Sequence, residues 1–229
     1  MADFNDIGIP RQLDWPRVRK LLTIGVFGAL LHLAGDLILG WGVEDESLTG
    51  LFRMLSAYTA TSDGGILASA LLGLFGMTLE GLSFFGVYRL MAEKFPRDAH
   101  RCRSGILGYL IFGACGFHVP TCALVFLARQ GLPEETLATF ALYFLLPATA
   151  LFWAFFLLLA VTQIAAFAKG YTPYPRWCWV FSPLVGGLAA QALGFLGNLP
   201  ALNAIACAWL AIGCLWMFGG LLCLCGKAR

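Results

Sequence analysis

Apolar residues run along the chain in six long stretches, separated by shorter segments that hold most of the charged residues. About 20 mostly apolar residues cross the hydrocarbon core of a bilayer as a helix, so each stretch predicts one membrane span. The predicted spans cover residues 21–41, 65–90, 105–128, 137–168, 179–197 and 203–225. The pattern therefore predicts an all-α polytopic membrane protein, a bundle of six transmembrane helices in one domain of residues 1–229.

The connection between the first two spans has a different pattern. Between residues 44 and 62, apolar side chains fall partly on one helical face, at Leu48, Leu51, Phe52, Met54, Leu55 and Tyr58. A one-sided apolar pattern is typical of a helix that lies in the membrane interface. We therefore expect a short amphipathic helix on the outer surface of the bundle.

The composition excludes a soluble domain. Hydrophobic residues make up 59% of the chain and charged residues 12%, and the mean hydropathy is +0.79. Because a soluble domain carries about 25% charged residues, this chain has too few of them to cover a surface in water. The net charge of +2 gives no reason to expect a nucleic acid partner. The expected partners are the lipid bilayer and a hydrophobic small molecule, and a homo-oligomer is left open.

Lysine and arginine fall almost entirely on one side of the predicted bundle. Of the 15 basic residues, only Arg53 and Arg129 lie in connections on the other side. The positive-inside rule then places both termini in the cytoplasm of a multi-pass protein of the cell membrane. The cytoplasmic set comprises Arg11, Arg17, Arg19, Lys20, Arg89, Lys94, Arg97, Arg101, Arg103, Lys169, Arg176, Lys227 and Arg229.

Four ionisable residues, His32, Asp36, Glu80 and His118, lie inside predicted spans. A charged side chain at the bilayer centre costs about 3 kcal/mol on insertion scales, so such residues usually face the interior of a bundle and carry function. His32 and Asp36 share a helical face with small residues, and Glu80 does the same in the second span. Counted from the span ends, His32, Glu80 and His118 lie at compatible depths and Asp36 lies one helical turn further out, so we expect the four to converge as a catalytic cluster.

The fifth predicted span carries further polar residues on such a face. Gln191 and Asn198 align there with Gly187 and Gly194 at spacings of three and four. Small residues mark the packed face of a membrane helix, so both polar side chains are expected to point into the bundle. We therefore predict Gln191 and Asn198 as ligand-binding residues.

The cluster permits more than one chemistry. Imidazoles and carboxylates held together in a low dielectric can move protons onto and off a bound substrate, or they can join helices by hydrogen bonds alone. His32 and Asp36 also have the spacing of two metal ligands on one helical face. However, only two histidines lie within spans, since His100 belongs to a cytoplasmic connection. The sequence therefore predicts neither a tightly bound metal nor another cofactor.

The run H-L-x-x-D at residues 32–36 resembles the H-L-x-x-E run in the first catalytic helix of the emopamil-binding protein family of sterol isomerases, the EXPERA domain. In that family an outer segment follows with a Tyr and a later Asp, and then a helix with a Glu. The corresponding residues here are Tyr58, Asp63 and Glu80, so the resemblance covers about residues 25–90. Asp36 stands where the family has Glu, and six spans exceed its usual four or five.

This resemblance implies acid–base and cation-stabilising roles for His32, Asp36 and Glu80 in the double-bond isomerisation of a lipid. It also implies that Tyr58 and Asp63 contact the ligand. The first functional hypothesis is therefore a membrane-embedded site for a sterol-like or isoprenoid-like molecule, an isomerase if the protein is an enzyme. The alternatives are a proton-coupled transporter or channel that uses the cluster as a relay, and a metal-dependent intramembrane hydrolase.

Overall fold

The computed structural model describes residues 13–92, 94–226 and 228. Three residues of the predicted cytoplasmic basic set, Arg11, Lys227 and Arg229, lie outside the described residues. All regular structure in the described ranges is helical, which confirms the predicted all-α class.

Ten α-helices follow one another in the part of the chain that the structure describes. They are α1 Trp15–Gly40, α2 Gly50–Thr59, α3 Asp63–Ala92, α4 Pro96–Phe112, α5 Val119–Arg129, α6 Glu134–Phe140, α7 Leu146–Ala168, α8 Pro183–Gly194, α9 Pro200–Cys207 and α10 Trp209–Leu224. Two π-helical segments, Gly113–His118 and Ala141–Leu145, join α4 to α5 and α6 to α7, and a 3₁₀ helix, Arg176–Phe181, precedes α8. The short helix α2 lies within the segment predicted to be amphipathic.

Four helical stretches are long and apolar enough to cross a membrane: Trp15–Gly40, Asp63–Ala92, Pro96–Arg129 and Glu134–Ala168. The pair α9 and α10 passes the same test only if its two helices, which are bent by 64°, count as one span. The remaining predicted span, 179–197, contains α8, a helix of 12 residues. At 1.5 Å per residue this helix is about 18 Å long, whereas the hydrocarbon core is about 30 Å thick. The described residues thus show four helices, or five if the bent pair is one span, that are long and apolar enough to cross a membrane, and the count of six spans stays a prediction.

Glycines bring α1 and α3 into close contact. A Cβ on Gly28 would lie 2.9 Å from the carbonyl oxygen of Gly76, and one on Gly35 would lie 3.0 Å from that of Ser69. Side chains at these positions would hold the two backbones apart, so the small-residue faces that the sequence predicts are the surfaces that pack. The close approach places His32 and Asp36 of α1 directly against α3.

Both π-helical segments end two residues before a proline, Pro120 in one case and Pro147 in the other. Proline has no N–H to donate and its ring collides with the carbonyl of residue i−4, so a helix widens or bends ahead of it. His118 is the last residue of the first π segment. Its direction is therefore set by an irregular turn.

The C-terminal part of the chain forms a second close helix pair. α8 packs against α9 and α10, with Gly186 beside Gly213 and Gly194 beside Ala206. α1 lies against the same pair, because the space beside Gly25 is filled by the ring of Phe218. The membrane-embedded polar residues are thus enclosed between α1, α3, the π segment before α5, and the bend between α9 and α10.

Candidate functional site

The four ionisable residues predicted within spans meet in one buried cluster. Their exposed fractions are 2% for His32, 5% for Asp36, 0% for Glu80 and 5% for His118. α1 supplies His32 and Asp36, α3 supplies Glu80, and the π segment supplies His118. The cluster therefore joins three elements at one level of the bundle.

His32 is the central member. Its Nδ1 lies 3.2 Å from Oε1 of Glu80, and its Nε2 lies 3.2 Å from Oδ2 of Asp36, one helical turn further along α1. Each ring nitrogen thus faces a different carboxyl group. The imidazole can pass a proton from one of these carboxyl groups to the other without leaving its rotamer.

His118 continues the chain beyond Asp36. Its Nδ1 lies 3.5 Å from Oδ1 of Asp36, and its Nε2 lies 3.0 Å from the backbone carbonyl oxygen of Ser69. A carbonyl oxygen only accepts hydrogen bonds, so the Nε2 nitrogen carries a proton. In the neutral ring, Nδ1 is then a lone pair that points at Asp36. The rings of the two histidines stand edge to face with their centroids 5.4 Å apart.

Tyr109 closes the other end of the cluster. Its hydroxyl donates a hydrogen bond to Oε2 of Glu80 at 2.5 Å, and its side chain is fully buried. Glu80 therefore accepts from Tyr109 on Oε2, while Nδ1 of His32 lies near both of its oxygens, 3.2 Å from Oε1 and 3.3 Å from Oε2. The result is a continuous chain of polar contacts. It runs from Tyr109 through Glu80, His32, Asp36 and His118 to the carbonyl of Ser69.

The three contacts Glu80–His32, His32–Asp36 and Asp36–His118 are 3.2, 3.2 and 3.5 Å long. One shared proton in each contact, together with the proton on Nε2 of His118, would give the two carboxyls and two imidazoles a net charge of zero. A neutral cluster suits a low dielectric, where an uncompensated charge is costly.

A cavity of about 200 Å³ adjoins one face of the cluster. His32, Asp36 and His118 lie on its wall, whereas Glu80 and Tyr109 do not line it. Much of the remaining wall is apolar and is formed by Leu39, Leu55, Phe117, Trp209 and Leu210. The cluster therefore presents two imidazoles and one carboxyl to the cavity and keeps a second carboxyl behind them.

Two irregular stretches of backbone border this cavity. One is the π segment that carries Phe117 and His118, and the other is the break between α9 and α10 at Ala208. Irregular backbone at membrane depth is tolerated where it is buried in protein or lines a cavity. Gln191 donates a hydrogen bond from Nε2 to the carbonyl of Ala206 at 2.8 Å, next to this break. Gln191 thus lines the cavity, as expected of a ligand-binding residue. It also supplies a hydrogen-bond donor to a backbone carbonyl beside the bend.

Tyr58 of α2 lies at the end of the cavity nearest the predicted outer surface. Burial, with a further contribution from Cys207, raises the pKa of its phenol well above the ordinary value. The hydroxyl consequently keeps its proton and can donate a hydrogen bond to a ligand in the cavity.

Asp63 and Asn198 do not lie at the cavity. Asp63 accepts a hydrogen bond from Nε of Arg129 at 2.7 Å, and its side chain is 55% exposed. Asn198 accepts from the backbone N–H of Glu44 at 3.0 Å and donates to the carbonyl of Glu44 at 2.9 Å. Each residue therefore connects two segments of the chain at the surface through a polar contact, and neither side chain reaches the cavity.

Sequence reasoning missed Tyr109 and Ser69, which complete the two ends of the chain. Ser69 contributes only a backbone carbonyl, which leaves no signal in a sequence. Tyr109 lies in the predicted third span, nine residues before His118. At about 100° per residue, nine residues of regular helix separate two side chains by half a turn, so the helical pattern placed them on opposite faces.

Comparison with known proteins gives a family but no characterised relative. No curated protein and no solved structure matches the chain significantly. One family model, described as a family of unknown function (DUF6796), matches residues 4–228. Because that match spans nearly the whole chain, the protein with this buried His–Asp–Glu cluster belongs to the DUF6796 family.

Proposed function

We propose that the protein holds a membrane-embedded acid–base site that binds a hydrophobic small molecule, or one end of a lipid, and exchanges protons with it. The observation that carries the proposal is the shared wall of the cavity, where His32, Asp36 and His118 stand beside apolar side chains. Such a mixture, mostly apolar with a few convergent polar groups, is typical of ligand sites.

The position of each cluster residue relative to the cavity determines its proposed role. Asp36 and His118 face the cavity and are the groups that would touch a ligand. His32 also lines the cavity and connects Asp36 to Glu80, so it can resupply a proton that the front groups give up. Glu80 and Tyr109 are positioning residues in this scheme, since neither reaches the cavity.

The volume of the cavity limits the size of the ligand that it can hold. Its volume of about 200 Å³ is below the range of roughly 300–1,000 Å³ that holds a drug-sized molecule. The proposed guest is therefore a small molecule, or the reactive end of an isoprenoid or acyl chain whose remainder lies among the helices. A complete sterol body would require the surrounding helices to separate.

Isomerisation is the reaction class that the family resemblance favours. His32, Asp36 and Glu80 of the resembling segment are in contact, and Tyr58 lines the same cavity. Asp63 lies outside this cavity, so it is not among the residues proposed to contact the ligand. Moving a double bond requires a proton to be added at one carbon and removed from another, which paired acids and bases can do.

A proton relay is the second candidate, because the chain from Tyr109 to His118 is continuous. Within the described residues, however, its last contacts are the carbonyl of Ser69, which has no proton to pass on, and the sulfur of Cys122, which lies 3.8 Å from Nε2 of His118 and is buried. At the other end, the hydroxyl of Tyr109 lies 3.9 Å from the sulfur of Cys214, which is also buried. A chain that ends inside the bundle serves a bound ligand better than it serves transport across the membrane.

A cationic amphiphile tests the proposal. A protonated amine on a hydrophobic body should pair with Asp36, and we expect it to raise the unfolding temperature of the purified protein. Asp36→Asn keeps the shape and removes the charge, so its response should be weaker by about 2–4 kcal/mol if the pair is fully desolvated. The matched control is Asp63→Asn, which alters a surface carboxylate outside the cavity. Amines, isoprenoids and sterols are compared in one thermal-shift panel.

Two outcomes would contradict the acid–base site. One is that no member of the panel stabilises the wild type. The other is that Asp36→Asn and Asp63→Asn respond alike. In either case the buried residues would be better explained as helix–helix contacts.

A further inference from the structure

We propose that His32 Nε2, Asp36 and His118 Nδ1 form a binding site for one divalent transition metal, with zinc as the best fit. The nitrogen and oxygen atoms concerned all lie within 4.8 Å of one another. The metal site shares the cavity of the proposed function but does not depend on that function, because metal binding is measured with no organic ligand present.

The distances fit ligands around an ion better than they fit ion pairs. His32 Nε2 lies 3.2 Å from Oδ2 of Asp36, and His118 Nδ1 lies 3.5 Å from Oδ1, the other oxygen of the same carboxyl group. Hydrogen bonds between an imidazolium and a carboxylate are usually shorter, about 2.7–2.9 Å. Ligand atoms placed about 2.0–2.1 Å from zinc at the corners of a tetrahedron are about 3.3 Å apart. The gap between the three side chains is therefore of a size that zinc can fill after a small adjustment.

The outer partners of both histidines match those of metal ligands. A metal-bound histidine usually gives its second N–H to a carboxylate or a backbone carbonyl, which fixes the tautomer and the ring orientation. His32 faces Glu80 with Nδ1, and His118 faces the carbonyl of Ser69 with Nε2. Each ring thus keeps its other nitrogen directed at Asp36. Helix–helix contacts alone do not require both rings to have this arrangement.

Three protein ligands leave zinc at least one open position. In catalytic zinc sites that position holds water or substrate, and His₂-carboxylate sets are among the known ligand combinations. Here the three ligands line the cavity, so a zinc-bound water would lie where a ligand enters. With metal bound, this water would take over the proton transfer assigned above to Asp36 and His118. The reaction class would then shift from isomerisation towards hydrolysis.

The first test needs no variant. Protein purified in detergent is stripped with a chelator and titrated with Zn²⁺, and the bound metal is measured. We expect one zinc per chain near neutral pH, where the ligands can bind metal in their deprotonated forms. X-ray absorption of the loaded protein should show only nitrogen and oxygen ligands at about 2.0–2.1 Å. A zinc–sulfur distance near 2.3 Å would overturn the assignment in favour of cysteine, since Cys122 is 3.8 Å from His118.

Variants locate the site. His118→Ala and Asp36→Asn should abolish stoichiometric binding, whereas the exposed His100 and Asp63 provide matched controls, His100→Ala and Asp63→Asn, that should bind as the wild type does. Glu80→Gln should weaken zinc by about 10- to 100-fold, because it alters the partner of His32 and not a ligand. Unfolding curves of the metal-free variants show whether each is folded.

Failure of the metal site is distinguishable from failure of the proposed function. Substoichiometric zinc in the wild type, or equal binding by His118→Ala and His100→Ala, would each overturn the metal site. An amine that still stabilises the metal-free wild type but not Asp36→Asn would leave the acid–base site standing.

Discussion

At the residue scale, Tyr109 contributes a buried hydroxyl to the cluster. It is fully buried and donates a short hydrogen bond to Oε2 of Glu80. We expect Tyr109→Phe to keep the packing and to remove the shortest of the hydrogen bonds to Glu80, at a cost of about 1–3 kcal/mol in the free energy of unfolding. Denaturation in detergent measures this cost.

The matched control is Tyr88→Phe, which removes the hydroxyl of a half-buried tyrosine of α3 outside the cluster. We expect a smaller loss there. Equal losses in the free energy of unfolding would show that the Tyr109–Glu80 hydrogen bond stabilises the protein no more than the hydroxyl of Tyr88 does.

At the element scale, the packing of α3 against the π segment depends on Gly73. A Cβ at this position would collide with the imidazole ring of His118. Gly73→Ala should therefore displace that ring, destabilise the protein by about 1–3 kcal/mol through overpacking, and abolish zinc binding. Unfolding curves and zinc titration together measure both effects.

Gly64→Ala is the control in the same helix, because a Cβ there meets nothing within 4 Å. Alanine favours the helix over glycine by up to about 1 kcal/mol, so this variant should be neutral or slightly more stable. Wild-type zinc binding by Gly73→Ala would mean that the position of His118 is not set by α3.

The regularity of the helices that carry the site residues explains which parts of the site were predictable. His32 and Asp36 lie in a regular helix and share a face at a spacing of four, so their common direction followed from the sequence. His118 and Tyr109 are separated by part of a π turn. Its i→i+5 hydrogen bonds add a residue to the turn and rotate the rest of the helix by about 100°, which no helical pattern shows. The chain of contacts between them was therefore not predictable.

At the scale of the whole molecule, the distribution of basic residues predicts an orientation. Six crossings with both termini in the cytoplasm would place Ser47 outside and His100 inside, and both are exposed. Single cysteines at these two positions, in a background without the native exposed Cys115 and Cys223, should react with an impermeant reagent from opposite sides.

Labelling of both positions from one side would contradict this orientation. The number of crossings rests on the C-terminal part of the chain. There α8 is short, but it packs along α9 and α10, and Asn198 beyond its end is bonded to Glu44 in the predicted outer connection. A cysteine at exposed Phe195 should therefore react from the same side as Ser47.

The sequence by itself determined the helical class, four of the spans, the small-residue faces and the burial of the ionisable residues. These properties depend on hydrophobicity and helical period, which are local. Only the tertiary structure decided which polar groups meet. Asp63 and Asn198 took surface partners, Glu80 lies behind His32, and both imidazoles turn one nitrogen towards Asp36 because Glu80 and the Ser69 carbonyl hold the other. Ring orientation depends on contacts between helices distant in sequence, so the geometry that supports a metal site, against the sequence expectation of none, arises only once these helices are packed.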